Sequence, residues 1–251
     1  MAETATEGFV TALKGYHNSA TFSDAVIRCG NKEFKTHRLV LSSHSGFFVK
    51  MCTGKHILWV RLTGVPYFQE SETGIITLEE ADERVVEAMV YFLYHFDYSN
   101  TQGISSMVFN AQMYSLADRY MIAALKHIAK EKFETAIKTG WAMDDFLLAI
   151  TDVYESTPED DRGLRDLVLD VSHTNLGKLL ENARFQELLR DTPRFAAEMV
   201  SYGPEKSRRD AAERYRCPSC TKVNILEWQR GSYFYCAHCN SRRSDWGSYQ
   251  V

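Results

Sequence analysis

Long apolar runs are missing from this 251-residue sequence. The longest, Val85 to Phe96, is interrupted by Glu87 and His95 and falls far short of the ~20 residues that cross a bilayer, so neither a membrane span nor a membrane partner is expected. A basic, then greasy leader is missing too: Met1-Ala2-Glu3-Thr4-Ala5-Thr6-Glu7 is acidic, which points to an intracellular protein of the cytoplasm, the nucleus or both. Six cysteines are too few for a disulfide framework, and four of them crowd into Cys217, Cys220, Cys236 and Cys239. Cys29 and Cys52 stand alone in apolar settings and read as inert buried thiols. Catalytic signatures are also lacking: there is no G-x-S-x-G, Walker glycine loop, H-E-x-x-H or dinucleotide fingerprint. The histidines at 17, 37, 44, 56, 95, 127, 173 and 238 are scattered, and the pairs Asp144-Asp145 and Asp160-Asp161 fit helix starts. An enzyme is not expected.

What is present divides by charge. Residues 1–204 carry 20 Lys+Arg against 28 Asp+Glu, net −8, whereas residues 205–251 carry 9 against 5, net +4. A basic tail therefore follows an acidic body. The stretch Tyr202-Gly203-Pro204-Glu205-Lys206-Ser207-Arg208-Arg209-Asp210 is polar, carries Gly and Pro, and lies where the sign flips, so residues 203–213 read as a linker.

The first part of the body mixes strand and helix signals, an α+β pattern. Val26-Ile27-Arg28-Cys29 and Lys32-Glu33-Phe34-Lys35 flank Gly30-Asn31, a hairpin turn. His37-Arg38-Leu39-Val40-Leu41 reads as a short helix, and Ser45 is placed to cap a second that turns Phe47, Phe48 and Met51 inward. After a strand at Gly74-Ile75-Ile76-Thr77-Leu78, Asp82 can cap a helix whose Val86, Met89, Val90 and Leu93 repeat at i, i+3, i+4, i+7. From about Ile104 the pattern is helical: Met113, Leu116, Ala117 and Tyr120 share a face that Ile122, Leu125, Ile128 and Ala129 continue. Thr157-Pro158-Glu159-Asp160 reads as a helix start, and Asp191-Thr192-Pro193 repeats the device.

The most specific signal is the pair Cys217-Pro218-Ser219-Cys220 and Cys236-Ala237-His238-Cys239, separated by fifteen residues. Each half offers two thiolates from one tight turn, and together they complete a four-sulfur shell for one Zn2+. With no open position, the ion would be structural. Val223-Asn224-Ile225-Leu226 and Tyr233-Phe234-Tyr235 are expected to pair as a hairpin around Arg230-Gly231, giving a zinc ribbon over residues 214–247 whose folding energy comes from the metal. His238, inside the second turn, is a bystander. Arg214, Tyr215, Arg216, Lys222, Trp228, Arg230, Tyr233, Tyr235, Arg242, Arg243, Trp246 and Tyr249 surround the site, a mixture that suits phosphate contact and base stacking or the packing of a small domain.

One set of motifs resembles a known family. Phe22-Ser23-Asp24-Ala25-Val26-Ile27, the hairpin, the run from Phe34 to Ser45 and Phe47-Phe48 resemble a BTB/POZ domain, in particular those of fungal proteins. The helix from Glu83 to Tyr94 and Tyr114-Ser115-Leu116-Ala117-Asp118-Arg119-Tyr120 match its later segments, so the resemblance covers residues 8–135. Residues 136–202, with Tyr154-Glu155-Ser156-Thr157-Pro158-Glu159, are similar to the helical extension that follows such domains in fungi. The resemblance implies a small sheet flanked by helices and a non-enzymatic interaction protein that dimerises through its first helix and the layer around the Ser-Asp motif. Asp24, His37 and Arg38 match positions that shape that core and its edge; read as residues alone, Asp24 caps a strand and His37 is a satisfied core histidine. Phe68-Gln69-Glu70 matches the apolar-x-Glu triplet through which relatives bind cullins, which implies a ubiquitin-ligase substrate adaptor. Residues 55–67 lengthen the connection to that triplet beyond the family's usual few residues. The alternative is a nucleic-acid-associated or transcriptional regulator whose ribbon contacts DNA or RNA.

Overall fold

The computed structural model describes residues 4–53, 73–78, 81–100, 103–211, 213–226 and 233–251. They form two compact units, Met1–Thr192 and Pro193–Val251. Phe68, Gln69 and Glu70 lie outside the described residues, as do 55–67, Trp228 and Arg230.

The first unit is built on a three-stranded sheet of order β2-β1-β3, with β1 (Ala25–Cys29) between β2 (Lys32–Thr36) and β3 (Ile75–Thr77). β1 runs antiparallel to β2 and parallel to β3, which sets Ile27 opposite both Phe34 and Ile76. All three are buried, as are Ala25 and Cys29 on the same face. The hairpin turns at Gly30, whose φ of +52° suits a residue without Cβ. A Cβ there would also stand 2.1 Å from Glu83 Oε1, the atom that accepts the Asn31 N–H.

Helices cover the apolar face. The first, α1 (Ala5–Lys14), starts with a capping box between Thr4 and Glu7; α2 (Arg38–His44) and α3 (Gly46–Thr53) follow the hairpin. Ser45 accepts the N–H groups of Phe47 and Phe48 through its hydroxyl, as its position before the apolar run implies. Helix α4 (Glu83–His95) is capped by Asp82 and buries Val86, Met89, Val90 and Leu93. Then come α5 (Ser106–Arg119) and α6 (Ala123–Gly140), split where Met121 adopts φ +54° and the Ile122 N–H bonds the Ala117 carbonyl. Tyr120, at the break, stacks on Phe48, and its carbonyl accepts the Ser45 hydroxyl. Cys29 and Cys52 are buried thiols, pushed up by burial.

The extension continues as α7 (Asp144–Ser156), α8 (Arg162–Thr174), α9 (Leu176–Leu180) and α10 (Ala183–Asp191), with α7 packed on α5 and α8 on α6. The expected start at Thr157 is corrected: Asp161 caps α8 by accepting the Gly163 N–H, while Thr157 closes α7. The Thr157 hydroxyl bonds back to the Val153 carbonyl and receives Arg165 Nε, and its carbonyl receives Arg165 Nη2 at 2.7 Å. Arg165 has no exposure and lies 4.7 Å over the Tyr154 ring, so the turn is organised around a buried cation.

Asp161 also joins the extension to the helices before it. Its carboxylate accepts the Tyr114 hydroxyl at 2.7 Å and Lys126 Nζ at 2.7 Å, and Lys126 reaches Asp118 at 2.6 Å. A Cβ on Gly163 would meet the Tyr114 hydroxyl at 1.9 Å, so only glycine admits this approach. Desolvation works against ionisation, but Lys126, Tyr114 and the Gly163 N–H together hold the Asp161 carboxyl below its ordinary value.

The second unit begins with α11 (Pro193–Ala211), where Pro193 takes the first helical position as expected. The helix runs across residues 203–211, which the sequence marks as linker. Pro204 removes one N–H, but Glu205, Lys206, Arg208 and Arg209 are good helix formers and the chain stays helical. The ribbon has two separate hairpins: β4 (Glu213–Arg216) with β5 (Val223–Leu226), and β6 (Phe234–Tyr235) with β7 (Arg242–Arg243), followed by a 3-10 helix, Trp246–Tyr249. The expected pairing of β5 with β6 is corrected, because each Cys-x2-Cys turn closes its own hairpin. The last residues join the first pair, with Gln250 bridged to Tyr215 and the Val251 N–H on the Arg214 carbonyl. Among the described residues no helix is long and apolar enough to cross a membrane.

The ionic junction carries a pH signature. A carboxyl with a depressed folded-state pKa adds stability above its unfolded value of about 4 and loses it as pH falls through the folded value. Asp161→Asn is expected to cost about 1–3 kcal/mol in neutral urea titrations. The gap from the wild type should close in acid, and a gap independent of pH would contradict the charge assignment.

Candidate functional site

Two regions gather the residues singled out by sequence. In the first unit, Asp24 precedes β1 and turns its carboxylate toward the start of α2, where Oδ1 accepts the Arg38 N–H at 2.8 Å. The Arg38 side chain returns to the Asp24 carbonyl at 3.1 Å and reaches the Cys52 carbonyl at 3.0 Å, tying the strand edge to α3. Asp24 thus caps a helix start. His37 is buried, with Nδ1 2.7 Å from the Tyr94 hydroxyl and Nε2 2.9 Å from the Thr21 carbonyl. A carbonyl only accepts, so Nε2 donates to it, and in the neutral ring Nδ1 then accepts the Tyr94 O–H; the same hydroxyl oxygen accepts the His37 backbone N–H at 3.2 Å. Both ring nitrogens are satisfied. Burial pushes the Tyr94 phenol up to about 12, which keeps it a donor.

In the second unit the four cysteines meet. Their sulfurs all lie within 4.8 Å of one another, with Cys217 Sγ 3.7 Å from Cys239 Sγ and Cys220 Sγ 3.6 Å from Cys236 Sγ. Disulfides need about 2.05 Å, whereas four sulfurs about 2.3 Å from one tetrahedral ion stand about 3.8 Å apart. The donor set therefore fits a metal ion held between the two turns. The turns are built alike. The Cys217 N–H bonds the Lys222 carbonyl and the Thr221 N–H the Cys217 carbonyl; Cys236, Ser241 and Asn240 repeat the pattern. Thr221 and Asn240, each just after the second cysteine of its turn, take φ +60° and +56°. Desolvation notwithstanding, the N–H groups of Cys220 and Ser219 draw the Cys217 thiol down to about 6. The Lys222 N–H favours a Cys220 thiolate, yet desolvation and the crowding sulfurs push that thiol up to about 12. A cation among the four sulfurs would let all of them ionise at this spacing.

Sequence reasoning missed one support of this centre, Asn224, and named Trp246 beside it with packing and base stacking both open. Asn224 is buried, accepts the Ala237 N–H at 3.0 Å and donates to the Lys222 carbonyl at 3.2 Å, so it bridges the two turns. Trp246 has no exposure, donates Nε1–H to the Phe234 carbonyl and forms the ribbon core with Tyr215, Cys217 and Cys236. A polar residue inside a predicted strand and a lone Trp beyond the last cysteine were the available signals. His238 is exposed and outside the sulfur cluster.

Residues 13–137 match the family described as the BTB/POZ domain. The chain carries a BTB/POZ domain. It is 30% identical over 105 residues to BTB and MATH domain-containing protein 42 of Caenorhabditis elegans, covering 42% of this chain and 22% of that protein. It is 28% identical over 128 residues to human Kelch repeat and BTB domain-containing protein 4, covering 51% of this chain and 21% of that protein. The chain spans about a fifth of the length of the curated relatives it matches. Among solved structures, the BTB domain of human gigaxonin gives a TM-score of 0.37 at 14% identity, over 52% of this chain and 95% of that one. The BTB domain of zebrafish PATZ1 gives 0.39 at 14%, over 54% and 96%.

On the BTB domain an apolar cleft of about 300 Å³ opens between α1 and α2, lined by Phe9, Leu13, Tyr16, Phe22, Leu39 and Val40. Phe9 is 67% exposed, Phe22 80% and Leu39 82%. Asp24 and His37 also line it. On the ribbon, Tyr215 and Trp246 are core residues and offer no face for stacking, whereas Arg242 lies 4.3 Å over the exposed Tyr233 ring.

Proposed function

We propose that the protein is a non-enzymatic interaction protein of the cell interior, related to the fungal BTB group, whose BTB domain pairs with a second copy while other surfaces recruit partner proteins. The observation that carries this reading is the α1/α2 face, where three large apolar side chains stand mostly in water around one cleft. Such a face is uncommon on a monomer and is removed from solvent when two copies meet. BTB domains are interaction modules that dimerise and bind other proteins, which agrees with this use. Asp24 and Arg38 hold the rim of the cleft in shape, and His37 with Tyr94 holds its floor.

The adaptor role rests on Phe68, Gln69 and Glu70: Phe68 is an aromatic anchor for an apolar groove on a cullin, and Glu70 the charge beside it. At the other end of the chain, one structural Zn2+ bound by Cys217, Cys220, Cys236 and Cys239 closes the ribbon. Bound zinc supplies the cohesion that a core of Tyr215, Trp246 and two cysteine side chains lacks.

Three outcomes are expected. Sedimentation should show a dimer at about 10 µM, a concentration at which a complex of micromolar Kd is mostly formed. Phe9→Asp with Leu39→Asp should give a folded monomer; a monomeric wild type ends the dimer reading. Elemental analysis should give one zinc per chain, and a strong chelator should expose four thiols to a colorimetric reagent and shift the Trp fluorescence to the red. A ribbon that keeps its shape without metal contradicts the zinc assignment. Co-purification from cells should recover a cullin, lost on Phe68→Ala with Glu70→Ala; unchanged recovery rules out the triplet.

A further inference from the structure

A second concavity, unrelated to the dimer face or the ribbon, lies where α5 of the BTB domain meets α7 of the extension. It is a cleft of about 210 Å³ whose walls include Ala81 and Val85 near the start of α4, Gln112 and Leu116 on α5, and Asp152 and Ser156 on α7. Three polar atoms of these walls are buried and have no hydrogen-bond partner among the described residues: Gln112 Oε1, Asp152 Oδ2 and Ser156 Oγ. Leaving three such atoms unsatisfied is costly, about 1–3 kcal/mol for each neutral group and more for a charged one. Their chemistry is one-sided. A carboxylate oxygen and an amide oxygen only accept, and a hydroxyl accepts as well as donates.

Burial pushes the Asp152 carboxyl up to about 6; Gln112 opposes this, and the charge of Glu155 reinforces it. Gln112 is a hydrogen-bond partner of the carboxylate, and among the described residues no cation forms an ion pair with it. Arg119 also lines the cleft, and Asp82 there is committed to Arg84 at 2.6 Å.

We propose that this cleft binds an organic cation rich in N–H donors, the primary ammonium or guanidinium group of a small amine or of a lysine or arginine side chain. One positive charge answers Asp152, and its several N–H groups satisfy the amide oxygen and the hydroxyl that the protein itself leaves open. The apolar side chains of Val85 and Leu116 accept the methylenes behind the charged group.

The test uses the full chain with propylammonium and methylguanidinium as probes, and tetramethylammonium, equally charged but without N–H groups, as the control. Ligand-observed NMR at constant ionic strength should give Kd values of about 1–10 mM for the two probes, the range of a single small contact. Tetramethylammonium should not bind. Asp152→Asn should weaken both probes at least about tenfold; because it removes an uncompensated buried charge, it should also raise the melting temperature at neutral pH, which shows that the variant is folded. Nα-acetyl-arginine amide and Nα-acetyl-lysine amide separate the sources. Binding as tight as the free probes assigns a side chain of another protein, and their exclusion while the free probes bind assigns a small amine. Equal responses to all three cations, or equal responses of wild type and Asp152→Asn, overturn the proposal and leave a cleft that holds water only.

Discussion

Ile27 has no exposure, and that buried position sets the register of the sheet on which the first unit is built. With Ile27 across from Phe34 and Ile76, one face of all three strands is apolar and the hairpin ends at Gly30. A slip of one residue would bury Val26 and Arg28 and expose Ala25, Ile27 and Cys29. The covering helices inherit this constraint. α4 packs its apolar stripe inward, Glu83 at its start clasps the hairpin turn, and Tyr94 near its end meets His37.

The outer surface is shaped by what the core leaves over. His37 and Tyr94 consume each other's polar groups, and Asp24 is spent on the α2 start, so the rim between α1 and α2 is chemically quiet and its floor apolar. Polar chemistry gathers where the extension docks. There Asp161 is fully provided for by Lys126, Tyr114 and the Gly163 N–H, while Asp152 on the preceding helix is not. Two acidic residues nine positions apart thus sit on opposite sides of their ordinary pKa, one held down by a cation and the other pushed up by burial. The ribbon solves a different problem. Its core is too small to hold the chain by apolar burial, and two near-identical turns place four sulfurs at the spacing of a metal shell.

Much of this was legible in the chain because it depends on neighbours in sequence. Gly30-Asn31 between alternating strands, Ser45 ahead of Phe47-Phe48, Asp82 ahead of a 3.6-residue repeat and the paired Cys-x2-Cys turns are short-range patterns whose physics acts within a few residues. Where two local signals competed, sequence reading chose wrongly. Thr157-Pro158 carries the letters of a helix start, but the Arg165 guanidinium, eight residues on, claims the Thr157 hydroxyl and carbonyl and leaves Asp161 to cap. Likewise Gly203-Pro204 signals a break, yet the helix formers after it carry α11 through.

By itself, then, the sequence determined the α+β character of the first part, the helical nature of the extension and the identity of the four cysteines that meet in the ribbon, since each is written in spacing and periodicity. Only the tertiary structure decided which strands pair in the ribbon, that Tyr215 and Trp246 are core and not binding surface, and that Gln112, Asp152 and Ser156 share a cleft. Pairing and burial depend on which distant segments meet, and that is settled by the packing of the whole chain, not by any local pattern.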